Sequence, residues 1–98
     1  MNNIIGTTDR PRVSVFRSNR FLSGQAIDDS KNITIAAVST KGIDKKTPVE
    51  KATAAGDLLG QELKKKKIEK IVFDRNGLRY HGQVAAFADA LRKSGIIF

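Results

Sequence analysis

A long amphipathic helix between two β-rich regions is the feature that most constrains this fold. Thr47 and Glu50 have the spacing of a capping box, and Pro48 fits the first helical position. An apolar stripe follows with steps of three and four residues, and residues 64–67, all lysine, end it where positive charge favours a helix C-terminus. The stripe comprises Val49, Ala52, Gly56, Leu59 and Leu63. Such a helix between strands predicts a crossover, and therefore a following strand that is parallel to an earlier one.

The segments on either side of this helix predict the other elements. Three β-rich segments precede it, at residues 12–17, 21–28 and 33–39, with turn residues between them. Residues 71–73 follow it as a short apolar strand, typical of a position buried on both faces. A second helix is expected over residues 83–94. Its expected core and capping residues are Val84, Phe87, Ala88, Leu91 and Gly95.

The order β-β-β-α-β-α predicts an α/β fold with a four-stranded mixed sheet. It would consist of an antiparallel meander plus one parallel strand, with two helices packed on one face and the other face open. The first and fourth strands are expected to be neighbours. Small residues at positions 52, 55 and 56 would let the first helix lie close against the sheet. Residues 1–98 are expected to form one domain, in which residues 1–9 are an irregular N-terminal segment.

The charge of the chain favours a nucleic-acid partner. Eighteen Lys and Arg oppose ten Asp and Glu, which gives a formal net charge of +8 and a pI near 10.1. A domain pI above about 9 is typical of nucleic-acid binders. Cysteine is absent, which excludes disulfides and thiolate metal sites and favours an intracellular protein. No apolar run approaches the roughly 20 residues of a membrane span, so we expect no membrane partner.

Two clusters of residues suit phosphate binding. Arg10, Arg12, Arg17 and Arg20 lie within eleven residues, with only Asp9 as a nearby acid, and the guanidinium fork matches phosphate. The second cluster is a polar loop after the fourth strand, where loops between buried elements often carry sites. Its candidate residues are Arg75, Arg79, Tyr80, His81 and Gly82.

The single residues of the loop allow more than one interpretation. Tyr80 is either a core aromatic or a side chain that stacks on a base, as in readers of single-stranded RNA. His81, the only histidine, is more typical of a structural or hydrogen-bonding residue than of a catalytic one. Asp74 is expected to pair with Arg75 or to accept from a nearby backbone donor. Residues 64–67 are interpreted as a solvated helix end.

An enzymatic alternative rests on three carboxylates. A meander followed by helix, strand and helix also begins the ribonuclease-H-like nucleases, which need clustered acids to hold two divalent ions. Asp28, Asp29 and Asp74 are the candidates, but the first strand has no acid in its interior, so the ligand set is incomplete. We therefore expect no catalytic residue, no metal site and no cofactor.

Two motifs carry a resemblance to a known family. Residues 10–19, RPRVSVFRSN, and residues 73–82, FDRNGLRYHG, occur in order, and the similarity continues from Val84 to Phe98. The chain resembles the bacterial large-subunit ribosomal protein eighteen family. The resemblance implies a non-catalytic protein that binds 5S rRNA and helps attach it to 23S rRNA in the central protuberance, beside neighbouring large-subunit proteins. The RNA contacts that it implies are Arg10, Arg12, Arg17, Ser18, Asn19, Arg20, Arg75, Arg79, Tyr80, His81 and Gly82.

The chain departs from the family pattern at several positions. Residues 1–5 hold no basic side chain, where family members usually have a basic arm. Asn76 replaces a common Gly, Leu78 a common aromatic residue and Gln83 a common Arg; the last two would weaken local RNA contacts. The alternative function is that of an RNA-binding module outside the ribosome.

Overall fold

The computed structural model describes Gly6, residues 10–18 and residues 21–98. The predicted segment 1–9 therefore lies, apart from Gly6, outside the described residues. The elements follow in the predicted order. They are β1 (Arg12–Arg17), β2 (Leu22–Asp28), β3 (Ile33–Ser39), α1 (Pro48–Lys65), β4 (Val72–Asp74) and α2 (Gln83–Lys93). Among the described residues, neither helix has the length and apolar character needed to cross a bilayer.

The sheet has the strand order β3-β2-β1-β4. β2 is antiparallel to both β1 and β3, whereas β4 is parallel to β1. The predicted mixed sheet, the crossover through α1 and the pairing of the first and fourth strands are thus confirmed.

The predicted burial of the fourth strand on both faces is wrong: β4 lies at the edge of the sheet, and the elements that cover it leave its side chains partly exposed. Val72 and Phe73 remain partly exposed. The apolar residues 71–73 instead make separate contacts. Ile71 is buried, and Phe73 stacks on Phe98 with ring centroids 5.3 Å apart. The chain after α2 also protects this edge, since the Ile71 N–H donates to the Ile97 carbonyl at 3.1 Å.

One face of the sheet holds the core. Val13, Val15, Leu22 and Ala26 are fully buried there, in one cluster with residues of both helices. Gly24 lies under the Phe87 ring of α2, where an added Cβ would come within 2.7 Å. On the opposite face of β1, Phe16 is 48% exposed, whereas Ser14 is buried beneath Asn76.

The two helices pack against each other along small residues. A Cβ on Gly56 would meet the Phe87 carbonyl oxygen at 2.6 Å, and one on Gly60 would meet Ser94 at 2.6 Å. Gly56 therefore serves the contact with α2, not a close approach to the sheet as predicted. Val49, predicted in the apolar stripe, is 46% exposed, because it lies in the first turn beyond the reach of α2 and the sheet core.

The helix caps follow from the sequence. Thr47 Oγ1 accepts from the Glu50 N–H at 3.1 Å, as a capping box requires. The Glu50 carboxylate accepts from the Lys46 N–H instead of that of Thr47. α2 ends in a Schellman motif, in which Gly95 has φ 97° and the Ile96 N–H donates to the Leu91 carbonyl at 3.1 Å.

Candidate nucleic-acid interface

The sheet topology brings the two sequence motifs together. β1 and β4 are parallel neighbours, so the end of β1 at Arg17 and the loop after β4 lie at the same end of the sheet. We call this region the strand-end rim and define it as Arg17, Ser18 and residues 75–82. Both motifs line one cavity of about 440 Å³. Its lining residues are Arg17, Gly77, Leu78, Arg79, His81 and Val84.

A tight turn opens the loop. Asn76 has φ 52° and Gly77 φ 77°, and the Leu78 N–H donates to the Arg75 carbonyl at 2.9 Å. Two successive positive φ values are what a type I′ turn requires, and Asn-Gly is its preferred pair. The Arg75 guanidinium closes the turn by donating to the Leu78 carbonyl at 3.1 Å.

Asn76 ties this turn to the sheet. Its side-chain amide donates to Ser14 Oγ at 2.7 Å and to the Val15 carbonyl at 2.9 Å. Its N–H donates to Asp74 Oδ1 at 2.9 Å. The departure from the common Gly thus keeps the left-handed backbone and adds two bonds to β1. Asp74 accepts a backbone donor, as one of its two predicted alternatives stated, and it does not pair with Arg75.

Tyr80 is a surface residue whose side chain contacts two other residues, Phe73 and Arg92. It is 43% exposed. Its ring meets Phe73 edge-on, at 6.4 Å between centroids and 82° between planes. Arg92 Nη1 donates to the Tyr80 hydroxyl at 2.8 Å. Tyr80 is therefore not a core aromatic, and stacking on a base stays a prediction. Sequence reasoning missed Arg92, which lies twelve residues away on α2 and has no local motif.

The arginines of the strand-end rim carry positive charge that no described acid neutralises by direct contact. Within the described residues, none of Arg17, Arg75 and Arg79 forms an ion pair. Arg75, Arg79, Tyr80 and His81 line a second, shallow cavity of about 420 Å³. α2 begins at Gly82 with no side-chain cap and no acid in its first turn, so the positive end of its dipole adds to this charge.

Gly82 is conformationally restricted but sterically open. Its φ of 55° and ψ of −117° favour glycine. No other atom lies within 4 Å of a Cβ built there. A partner can therefore approach the backbone of the loop closely.

Arg12 forms ion pairs with acidic side chains, unlike Arg17 on the same strand. Its Nε lies 3.0 Å from Asp29 Oδ2, and its Nη1 lies 3.1 Å from Asp74 Oδ2. The hydrogen bond to Asp29 raises the pKa of Arg12 above its ordinary value, although burial opposes the shift. The hydrogen bond from Arg12, together with that from the Gly6 N–H, lowers the pKa of Asp29. The sequence interpretation that only Asp9 opposes the arginines missed both acids, which are brought close by strand pairing.

The other residues of the first motif are placed differently. Ser18 closes the β1–β2 hairpin, since its N–H donates to the Phe21 carbonyl at 2.8 Å and its hydroxyl accepts from the Phe21 N–H at 3.1 Å. Arg10 is exposed at the opposite end of β1 from Arg17, about 23 Å away at the rise of a strand. The predicted sites Asn19 and Arg20 lie outside the described residues.

The three acids of the nuclease alternative have other partners. Asp29 and Asp74 both accept from Arg12. Asp28 accepts from the Ser30 N–H at 3.0 Å. In the part of the chain that the structure describes, no three His, Cys, Asp or Glu side chains form a group that could hold a metal ion.

Comparisons with known proteins agree with this geometry. The family model described as ribosomal L18 of archaea, bacteria, mitochondria and chloroplasts matches residues 1–98. The large ribosomal subunit protein uL18 of Helicobacter pylori strain J99 is 51% identical over 94 residues, which cover 96% of this chain and 80% of that protein. The uL18 proteins of Treponema denticola and Borreliella burgdorferi strain ZS7 are 50% and 45% identical, over 97% and 93% of this chain and 82% and 78% of theirs.

Proposed function

Because the chain belongs to the ribosomal L18 family, we propose that it binds 5S rRNA and helps attach it to 23S rRNA in the central protuberance. Membership makes it a ribosomal protein of the large subunit, located with the ribosome in the cytoplasm. Its role there is structural. Neighbouring large-subunit proteins are its further partners.

The observation that carries the proposal is the unmatched charge of the strand-end rim. Arginine is the side chain best suited to phosphate, and three exposed arginines lie here without an acidic partner among the described residues. RNA would be bound mainly through phosphate neutralisation and shape, because the narrow major groove of A-form RNA excludes side chains.

The rim residues have distinct proposed roles. Arg17, Arg75 and Arg79 contact phosphates, and Tyr80 offers its exposed ring to a base. His81 donates a hydrogen bond, and the open backbone at Gly82 admits the RNA strand. Ser18, Asn19 and Arg20 are further proposed contacts, and Arg10 is a separate one at the opposite end of β1. Arg12 acts by holding β1 to β4 through Asp74 and to the end of β2 through Asp29. The first of these pairs fixes the strand from which the RNA-binding loop starts.

A salt titration tests the proposal. Binding of the purified protein to 5S rRNA is measured from about 50 to about 300 mM KCl, a range in which the release of counterions dominates the salt dependence. Each neutralised phosphate contributes a slope of roughly 0.7 to 0.9, so three arginines predict a log–log slope of about −2 to −3 from the rim alone. A folded transfer RNA serves as the control and should bind more weakly. Affinity that is independent of salt, or equal for both RNAs, would contradict the proposal.

Co-sedimentation separates the ribosomal function from its alternative. A large-subunit protein remains with large subunits through a sucrose cushion in moderate salt. An RNA-binding module outside the ribosome would be released into the supernatant.

A further inference from the structure

We infer that Lys41 and Phe21 extend the RNA-binding rim to the β3 side of the sheet, as a further phosphate site. This inference rests on the proposed function and adds a third chain segment to its surface. Neither residue belongs to the two motifs on which the family resemblance depends.

Hydrogen bonds place Lys41 at the same end of the sheet as Arg17. The Thr40 N–H donates to the Leu22 carbonyl at 2.8 Å, and Thr40 Oγ1 accepts from the Leu22 N–H at 2.9 Å. Leu22 is in register with Arg17 on β1. Thr40, Leu22 and Arg17 therefore form one row across three strands, and Lys41 lies one residue beyond it.

The Lys41 backbone is fixed by its neighbours. Thr40 is buried, with 4% exposure, which anchors the end of β3. The Lys41 N–H donates to Ser39 Oγ at 3.1 Å, and the Ile43 N–H donates to the Thr40 carbonyl at 3.2 Å. A closed turn thus sets the point from which the Lys41 side chain projects.

Phe21 holds the side chain of Lys41. The Lys41 Nζ lies 6.0 Å from the centroid of the Phe21 ring, which is within the range of a cation–π contact. Phe21 is 37% exposed, so the pair lies on the surface. Lys41 forms no ion pair within the described residues, and its charge is available to a phosphate.

The spacing suits a nucleic-acid strand. Adjacent strands lie about 4.8 Å apart, so the rim from β3 to β4 spans about 14 Å. A duplex DNA strand carries a phosphate about every 3.4 Å of helix axis, and by that measure a rim of this length is long enough to face more than one phosphate. Lys41 and Arg79 then contact the backbone on either side of Arg17.

The test compares three variants that each remove one positive charge. Lys41→Gln is the test, Arg17→Gln reports on the proposed rim, and Lys65→Gln is the matched control at the C-terminal end of α1. Affinity for 5S rRNA is measured across a salt series. We expect Lys41→Gln to weaken binding about tenfold and to reduce the salt slope by about 0.7 to 0.9, with no change for Lys65→Gln.

A double-mutant cycle tests the part of Phe21. Phe21→Leu keeps an apolar side chain but removes the ring, so it should weaken binding less than Lys41→Gln. Because Phe21 acts through Lys41, its substitution should have no further effect in the Lys41→Gln background. Fully additive effects would overturn the positioning role.

The outcomes separate the two proposals. If Arg17→Gln weakens binding while Lys41→Gln equals wild type, the extension to β3 is wrong and the rim proposal stands. If the wild-type protein does not bind 5S rRNA, both the rim proposal and its extension to β3 are wrong. If Lys65→Gln weakens binding as much as Lys41→Gln, the effect is one of net charge and the site is refuted.

Discussion

The two ends of the sheet are both basic, but among the described residues only the end away from the rim has lysines that form ion pairs. At the end away from the rim, Lys64 lies 3.9 Å from Glu69 and Lys66 lies 4.0 Å from Glu62. These lysines also lie at the negative end of the α1 dipole. At the strand-end rim, the arginines have no acidic partner among the described residues and adjoin the positive end of α2.

The difference shows that the density of charge along a sequence does not identify an interface. Residues 64–67 are the densest basic run of the chain, yet topology sends them to the end of the sheet opposite the strand-end rim. Both helices begin at the rim end and finish at the far end, because each follows a strand that ends at the rim. The direction of the elements therefore concentrates uncompensated positive potential at one end.

Charge reversal at the two ends should give the largest contrast. Arg17→Glu and, separately, Arg75→Glu should each weaken 5S rRNA binding by about 1–3 kcal/mol, the range of charge-assisted hydrogen bonds. Lys64→Glu should matter less. Binding is measured at fixed salt, and thermal melting confirms that each variant folds. If both arginine variants bind like wild type while Lys64→Glu does not, the RNA lies at the far end.

Two arginines of one strand should separate stability from binding. Arg12→Gln leaves Asp29 and Asp74 without their shared partner and should lower the free energy of unfolding by about 2 kcal/mol. Arg17→Gln should leave stability within about 0.5 kcal/mol, as is usual for surface substitutions. Urea titrations measure both. Equal stability of the two variants would show that the Arg12 network does not hold the strands.

Two left-handed residues, one at each end, should respond oppositely to glycine. Asn76 has φ 52° and Lys67 has φ 62°. Asn76→Gly loses two side-chain hydrogen bonds to β1 and should destabilise by about 1 kcal/mol. Lys67→Gly relieves the backbone at the end of α1 and should stabilise by about 0.5–1 kcal/mol.

Thermal or urea unfolding of the two variants measures whether each substitution raises or lowers the free energy of unfolding. A stabilised Asn76→Gly would mean that the loop does not depend on its amide anchor. Lys67→Gly is the internal control, because it measures the effect of placing glycine at a positive φ without the loss of the side-chain hydrogen bonds that Asn76 makes.

The smallest effect is the acid dependence of stability. The pKa of Asp29 is lowered in the folded state, so Asp29 stabilises the fold above its ordinary pKa of about 4, and this contribution is lost as pH falls through the lower folded pKa. Asp29→Asn should be less stable than wild type at pH 7, and the difference should shrink below about pH 4. A constant difference for Asp29→Asn at all pH values would contradict the assignment.

Local chemistry explains which parts of the fold could be predicted. The N-cap at Thr47, the crossover through α1 and the glycine cap at Gly95 were all predicted; the caps depend on residues close in sequence. The return bond of Glu50 to the Thr47 N–H, which would complete a capping box, was predicted but does not form. The partial exposure of β4 was missed, because an apolar run does not show how much of each face the following chain covers. The exposure of Val49 was missed for a similar reason, since a helical stripe does not show where the neighbouring helix begins.

The site was less predictable than the fold. Sequence motifs indicated Arg17 and the loop after β4, and parallel pairing of β1 with β4 explains why they meet. Nothing local distinguishes Arg12 from Arg17, because the acids that hold Arg12 are 17 and 62 residues away. The support of Tyr80 by Arg92 and of Lys41 by Phe21 likewise depends on tertiary packing.

The central claim is that RNA meets the protein at the strand-end rim. An amide NMR titration of the isotopically labelled protein with 5S rRNA tests it most directly, because it reports each backbone position separately. The account predicts shifts or line broadening at Arg17 and residues 77–82, with residues 64–67 unchanged. Perturbation of residues 64–67 with an unchanged rim would contradict it.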